Sequence, residues 1–462
     1  MPSNRSPTPL PSKGYMPDRG LSVETVRAFA ENVMAADIPP SHDLGRFTTT
    51  KFDETAIDLM ISGGLRNQAC IHEYPSLADY REKCLSILAN LWNAPNGFFG
   101  AATTGSSESV LLGGLAMKRE WQLNHPNHLY PRPNVIIGAN AHVCVNKFAF
   151  YFDVEARIIP VSERSGYSLD IEGLEDRLDE NTIGVFLTMG STYTGHCDLV
   201  QQVANVLDAY ELRTGNNIPI HIDAASGGFI LPFTSTNTNF VWDFRLSRVQ
   251  SINASGHKFG MAPLAVGWIL WREKSQIPQG LLVESSYLRG THSDFSLSFS
   301  RSGAPIAGQY YNFLRLGLAG YQDRTQSLLD RARRLSVLLE ETGYFYCLSD
   351  AHRQQKAGVG YTLCKGSDQA VPHVLPIAVF RLSDQARRQY PNLQLSDISD
   401  AMHDLKFSIP NYTIRGWGAH GEDIEVMRIV LRDEMTAELM TKVLAGMTQS
   451  VKRLIDQASV QT

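Results

Sequence analysis

Hydrophobic and polar positions change period in a regular order along this chain. Apolar residues recur at helical spacing in LSVETVRAFAENVMAADI, in DETAIDLMIS and in SLADYREKCLSILANLW between Ser76 and Trp92. AATTGSSESVLLGGLAMKREWQ then sets a glycine and two serines before an apolar helix. From there short apolar runs alternate with helical ones: NVIIGAN, HVCVNKFAFYF, ARIIPV, DIEGLEDRLDE, TIGVFLTMG, DLVQQVANVLDAYELRTG and PIHIDAA. RVQSINAS and AVGWILWR follow as strands, the second as a hairpin-like return. This alternation predicts an α/β domain with a large, mostly parallel sheet covered by helices on both faces. In such sheets ligands gather where strands hand over to loops.

Residues 278–301 read as an irregular insertion, too polar for a core element and of the size of a lid or contact loop. A long helix is predicted over IAGQYYNFLRLGLAGYQDRTQSLLDRARRLSVLLEET. It leads to a small C-terminal α+β domain with strands PIAVFRL and IEVMRIVLR and helices DISDAMHDL and TAELMTKVLAGMTQSVKRLIDQ. The expected division is a flexible arm and N-terminal segment at 1–43, a helical segment at 44–98, a large domain at 99–340 and a small one at 341–462.

The 462 residues are 43% hydrophobic and 19% charged, an ordinary globular composition. A net charge of -5 without a basic block excludes nucleic acid and anionic membrane surfaces as expected partners. No apolar run approaches the length of a membrane span. The proline-rich start lacks the apolar segment of a secretory signal. The six cysteines show no paired metal-type spacing, as expected of free thiols in the cytoplasm.

Candidate chemistry concentrates between His221 and Gly260. HIDAASGG delivers Asp223, Ala224, Ala225 and Ser226 at one strand end; NASGHKFG delivers Ser255, Gly256, His257 and Lys258 at the next. A carboxylate and an amine among residues too small to fill space suit a flat ligand. Pyridoxal 5'-phosphate (PLP) fits, with Lys258 as Schiff-base lysine and Asp223 keeping the ring nitrogen protonated. Taken singly, Lys258 could flank a strand and Asp223 could cap a turn. Gly105, Ser106 and Ser107 stand where helix N–H groups collect a phosphate, or where a serine simply caps a helix. A nicotinamide-binding fold is disfavoured because no GxGxxG turn follows an early strand.

Together TGSSES, HIDAASGGF, NASGHKFG, SFSR and VMRIVLR resemble the glutamate decarboxylase branch of the group II PLP-dependent decarboxylases, from about Leu44 onward. The resemblance implies the fold type I architecture and an obligate homodimer or higher homo-oligomer, with an N-terminal segment wrapped on the partner and active sites at the subunit interface. It implies catalytic roles for Lys258 and Asp223, with Ala225 against the ring. Cofactor contacts fall on Ser106, Ser107, His257 and Thr192, and Ser300 would reach the phosphate of the neighbouring chain. Arg428 would hold the α-carboxylate of an amino-acid substrate, and Tyr287 would return a proton to its carbon.

Three departures from that branch stand out. His142 occupies the place of a ring-stacking glutamine, as in other group II members. Arg46 before Phe47 replaces a threonine, and Cys70 replaces an aspartate before the EYP motif; both changes fall on the pocket for glutamate's side chain. Arg46 could pair with an acidic substrate or point outward. The chain also stops soon after its last helix. The expected reaction is decarboxylation of an L-amino acid to an amine and CO2, with the acidic side-chain pocket altered so that the substrate is not fixed as glutamate. Alternatives are an aldehyde, a decarboxylation-coupled carbon–carbon bond, or a non-catalytic scaffold.

Overall fold

The structure is a computed structural model that describes residue 14 and residues 16–17, 19–125, 132–234, 240–285, 292–355, 361–363 and 374–460. Three helices come first: α1 (Val23–Met34), α2 (Glu54–Gly64) and α3 (Pro75–Leu91). Ser22 and Asp53 cap the first two by accepting from the N–H groups of Thr25 and Ala56. The large sheet then builds from β1 (Phe99–Thr103), β2 (Asn134–Gly138), β3 (Glu155–Ile159), β4 (Thr182–Thr188), β5 (Ile220–Asp223), β6 (Val249–Ser255) and β7 (Gly267–Trp271). Helices α4 (Ser106–Asn124), α5 (Val143–Tyr151) and α6 (Val200–Thr214) form its crossovers.

The sheet order is β1-β7-β6-β5-β4-β2-β3. β7 runs antiparallel to both β1 and β6, and the other pairings are parallel. The inner strands β4 and β5 are buried on both faces; β4 accordingly reads as a near-continuous apolar run, while β5 carries His221 and Asp223 on one face. Alternation sorts the side chains: Val135, Ile137, Ile183 and Phe186 pack toward α4 and α5, while Ile136, Val185, Ile220 and Ile222 pack toward α6 and α3. The short edge strand β1 was not anticipated.

Two expectations need correction. DIEGLEDRLDE is no α-helix; it forms two 3-10 turns, Ile171–Gly173 and Glu175–Arg177. Gly173 weakens helix propagation, and six carboxylates between Asp170 and Glu180 repel one another, while only Leu174 and Leu178 are buried. The insertion at 278–301 is more regular than its polarity suggested. It carries an antiparallel pair, β8 (Val283–Ser285) with β9 (His292–Asp294), and Phe295 is buried against Trp271.

Helix α7 (Ala304–Glu341) is broken at Gly317, whose φ of 59° and ψ of -172° no helix accommodates. A second apolar cluster lies beyond it, around a four-stranded antiparallel sheet. The strands of this region are β10 (Phe345–Cys347), the small pair β11 (Arg353–Gln355) and β12 (Tyr361–Leu363), then β13 (Ile377–Leu382), β14 (Asn411–Ile414) and β15 (Ile424–Val430). The small sheet orders as β10-β13-β15-β14, with α8 (Asp384–Gln389), α9 (Leu395–Asp404) and α10 (Ala437–Val460) beside it. The short strand β14 was not anticipated.

An N-terminal strap ties the small sheet to the large one. Leu44 N–H donates to the Ser408 carbonyl, Val430 N–H to the Leu44 carbonyl, and Thr49 N–H to the His257 carbonyl. Buried Arg432 donates to the carbonyls of Thr48 (2.7 Å), Asp43 (2.8 Å) and Pro40 (3.2 Å). Arg432→Ala removes all three bonds and the packing of a buried side chain, with an expected loss on the order of 1–3 kcal/mol. Denaturant unfolding checks this, and proteolysis should cut the strap sooner. An unchanged midpoint would show that the strap is held without the arginine.

Candidate active site

β5 and β6 pair in parallel with Asp223, the last residue of β5, opposite Asn253, and β6 runs two residues further to Ser255. The chain beyond Ser255 turns sharply, and Lys258 returns beside the end of β5, where its Nζ lies 3.3 Å from the Ser226 hydroxyl. A cavity of about 230 Å³ opens there. Its lining includes Gly105, Ser106, Ser107, His142, Thr192, Asp223, Ala225, Ser255, His257 and Lys258. Nine of the expected site residues therefore meet at one place, with Ser255 in addition.

One end of the cavity is rich in donors. Gly105 is the N-cap of α4, with Ser106 and Ser107 in its first turn. Gly105 has φ of +156°, and a Cβ there would lie 3.2 Å from His257 Cε1, so glycine keeps this turn open. The Ser255 hydroxyl donates to Ser106 Oγ at 2.8 Å, which frees the Ser106 proton for a ligand. His257 Nδ1 accepts from Val266 N–H at 3.4 Å, leaving its proton on Nε2. Burial, reinforced by the Lys258 charge, pushes the pKa of His257 down to about 4, so the ring is a neutral donor near pH 7.

The other end offers a carboxylate. Asp223 is 3% exposed, and both side-chain hydrogen bonds it accepts fall on Oδ1, from Asn253 Nδ2 (3.0 Å) and Ala225 N–H (3.1 Å). Burial lowers the pKa of Lys258, opposed by the charge of Asp223, which favours a free amine. His142 caps α5, its Nδ1 accepting from Cys144 N–H at 3.2 Å, and burial lowers its pKa as well.

Beside the cavity, buried Phe47 carries two cations on its ring: Lys258 Nζ at 5.3 Å and Arg428 Cζ at 4.9 Å from the centroid. Arg428 also donates to the carbonyls of Thr192 and Gly45, both at 2.7 Å, while its Nε is buried without a hydrogen-bond partner. Other expected residues lie elsewhere in their own chain. Arg46 is 72% exposed and paired with Asp43 at 2.5 Å. Ser300 is exposed, its Oγ accepting from Asn67 Nδ2, and Cys70 sits in the neighbouring turn before α3. Tyr287 lies outside the described residues.

Reading the strand ends alone misses the part played by Asn253 and His221 and the contacts of Ser226 and Ser255. Period-two polarity was the available signal: Ser251, Asn253 and Ser255 share one face of β6, and His221 and Asp223 share the matching face of β5.

Donors for an anion at one end, a carboxylate at the other and an amine between them divide the cavity as a phosphorylated pyridine aldehyde requires. These residues therefore fit PLP, and the fold and site define a PLP-dependent enzyme. Residues 49–356 match the family model described as "Pyridoxal-dependent decarboxylase conserved domain". A glutamate decarboxylase from Saccharomyces cerevisiae is 35% identical, the match covering 96% of this chain and 80% of that one. Glutamate decarboxylase 5 of Arabidopsis thaliana is 34% identical over 95% and 84%. Among solved structures, a Lactobacillus brevis glutamate decarboxylase superposes with a TM-score of 0.86 at 31% identity, covering 97% of this chain and 96% of the other. The chain belongs to the pyridoxal-dependent decarboxylases. Within group II of that family it is glutamate decarboxylase-like.

Two predictions follow from the buried amine and the buried imidazoles. Borohydride reduction of the PLP-loaded protein should fix a pyridoxyl group on Lys258, detected by peptide mass, and on no other lysine; label elsewhere would remove Lys258 from the site. His221, fully buried, has its pKa depressed by burial from 6.5 to about 4. Between those values the unfolded chain binds more protons, so this stability is complete above pH 6.5 and is lost as pH falls through 4. The difference of about 2.5 units corresponds to on the order of 3 kcal/mol. Urea midpoints at pH 7.5 and 4.5 should therefore converge more in His221→Gln than in the parent; equal slopes would refute the assignment.

Proposed function

We propose that this PLP-dependent amino-acid decarboxylase releases CO2 and an amine from an L-amino acid whose side chain differs from that of glutamate. The observation that carries the reading is the meeting of Lys258 and Asp223 in one cavity whose far end is the donor-rich start of α4. PLP, when bound, supplies the electron sink for the bond to the departing carboxylate. The chain supplies position and charge. Lys258 brings an amine whose proton affinity burial has lowered. Asp223 would keep the ring nitrogen protonated, and Ala225 and His142 would lie against the ring. Ser106, Ser107 and His257 would hold the phosphate end, and Thr192 would make a further cofactor contact.

Arg428 orients the substrate α-carboxylate, for which a planar guanidinium offers two parallel donors. Its contacts with the Thr192 and Gly45 carbonyls and with Phe47 support this, because they hold the group rigidly beside Lys258. Tyr287 returns a proton to Cα. Replacement of a threonine and an aspartate by Arg46 and Cys70 supports a changed side-chain pocket. Arg46, engaged with Asp43 at the surface, is not committed to the cavity of its own chain.

A second copy completes the site in this reading. Ser300 and Cys70 lie together on the surface outside their own cavity, and α1 presents an apolar face, with Val23 78% and Phe29 46% exposed. A homodimer that covers these faces brings Ser300 to the neighbouring phosphate. Among the described residues no helix is long and apolar enough to cross a membrane, and the five described cysteines are free thiols, in keeping with a cytoplasmic enzyme.

An alternative outcome is an aldehyde, or a new carbon–carbon bond after loss of CO2. Tyr287, as proton donor, favours the amine. A panel of acidic, aromatic and hydroxylated amino acids, with CO2 and product identified by mass, tests both points. The expected result is an amine and CO2 from an amino acid other than glutamate. Glutamate heading the panel would refute the altered pocket, and aldehyde with ammonia and peroxide would refute simple decarboxylation.

A further inference from the structure

Behind Asp223 lies a line of buried polar side chains that the chemistry above does not use. In the parallel pairing of β5 with β6, His221 stands opposite Ser251 and Asp223 opposite Asn253. All four are 3% exposed or less. His221 Nδ1 lies 2.7 Å from Ser251 Oγ, and His221 Nε2 lies 2.7 Å from Asn253 Oδ1. Asn253 Nδ2 donates to Asp223 Oδ1 at 3.0 Å.

Donor and acceptor counting fixes the direction of this line. An ionised Asp223 can only accept, so Asn253 must turn its NH2 toward it and its carbonyl oxygen toward His221. His221 Nε2 must then carry the ring proton, and its Nδ1 must accept from the Ser251 hydroxyl. Every donor in the chain thus points toward Asp223, and each bond polarises the next. The imidazole is seated by a missing side chain: a Cβ on Gly113 of α4 would come within 2.7 Å of its Cε1 and Nδ1. Depression of the His221 pKa to about 4 agrees with the neutral, singly protonated ring that this direction requires.

We propose that His221, acting through Asn253, is a positioning residue that fixes the plane of the Asp223 carboxylate and thereby sets the affinity of the chain for PLP. The proposal rests on the reading of Asp223 as partner of the ring nitrogen. A residue that only filled the core would need neither a fixed tautomer nor two bonds of 2.7 Å. Isolated buried polar groups are costly, but a fully paired chain ending on an acceptor defines one geometry for that acceptor.

The test is titration of apoprotein with PLP, followed by protein fluorescence and by the visible absorbance of the bound cofactor, alongside thermal unfolding of the apoprotein. Asn253→Ala and His221→Leu are each expected to raise the Kd for PLP about tenfold or more, the range seen when groups that orient a ligand-binding residue are removed. The double variant should bind no more weakly than Asn253→Ala alone, because His221 acts through Asn253. His221→Gln, which keeps a donor and an acceptor, should stay within about threefold of the parent. If His221→Leu does not fold, Asn253→Ala and His221→Gln carry the same comparison.

A fall in apoprotein Tm with an unchanged Kd would overturn the proposal, leaving the line a packing feature. Additive losses in the double variant would also overturn it. Asp223→Ala separates the two readings: if that variant binds PLP as tightly as the parent, the site assignment itself fails. If it binds weakly while Asn253→Ala does not, only the role of His221 and Asn253 fails.

Discussion

Parallel pairing of Ile220–Asp223 with Val249–Ser255 is the constraint on which the site depends. It brings the two strand ends side by side, and the antiparallel return of Gly267–Trp271 on the far side of β6 leaves the turn at 256–266 little freedom. Lys258 belongs to that turn, so its position relative to Asp223 is decided by sheet register. A slip of one residue would reverse the faces of β6, burying Ile252 and Ala254 where Asn253 and Ser255 now stand. The polar face of β6 also links the two ends of the cavity. Asn253 supports the carboxylate end, and Ser255 supports Ser106 at the donor end.

The strap supplies the second requirement. Phe47 is carried on it, and the ring is shared by the cations of Lys258 and Arg428. Arg428 and Arg432 lie four residues apart in VMRIVLR, and both donate to strap carbonyls, one to Gly45 and the other to Thr48, Asp43 and Pro40. The small sheet therefore positions an aromatic ring that packs against the lysine of the cavity in the large one. The packing of Leu44 in the C-terminal apolar cluster has the same origin.

Much of this arrangement was legible in the sequence because burial writes itself plainly. β4 is almost wholly apolar, and the small residues clustered at the strand ends leave room for a ligand. Elements that depend on a balance of weak terms were harder. Residues 170–180 have helical spacing at Leu174 and Leu178 but too much like charge and a glycine within it. β1 and β14 are edge strands of five and four residues whose patterns are too short to declare a period. His221 and Asn253 were visible in letters but not in meaning, since only the register of two strands shows that they face each other. Ser300 and Cys70 are a different case. Ser300 is expected to serve the neighbouring chain, so the fold of one chain does not bring it to its own cavity, and Cys70 lies in the turn beside it.

Charge explains why the site needs so much buried support. Lys258 and Arg428 lie against one aromatic ring, and burial lowers the Lys258 pKa, helped to a lesser degree by the charge of Arg428. An arginine cannot give up its proton, so the lysine is the member that becomes neutral. Asp223 pulls in the opposite direction, because an anion beside Lys258 raises its proton affinity. Directing two donors onto Asp223 Oδ1 spreads that negative charge over neutral partners and moderates its pull on the amine. Asp223, held by the polar line behind it, and Arg428 thus act on the same variable, the proton on Lys258 Nζ, with opposite sign.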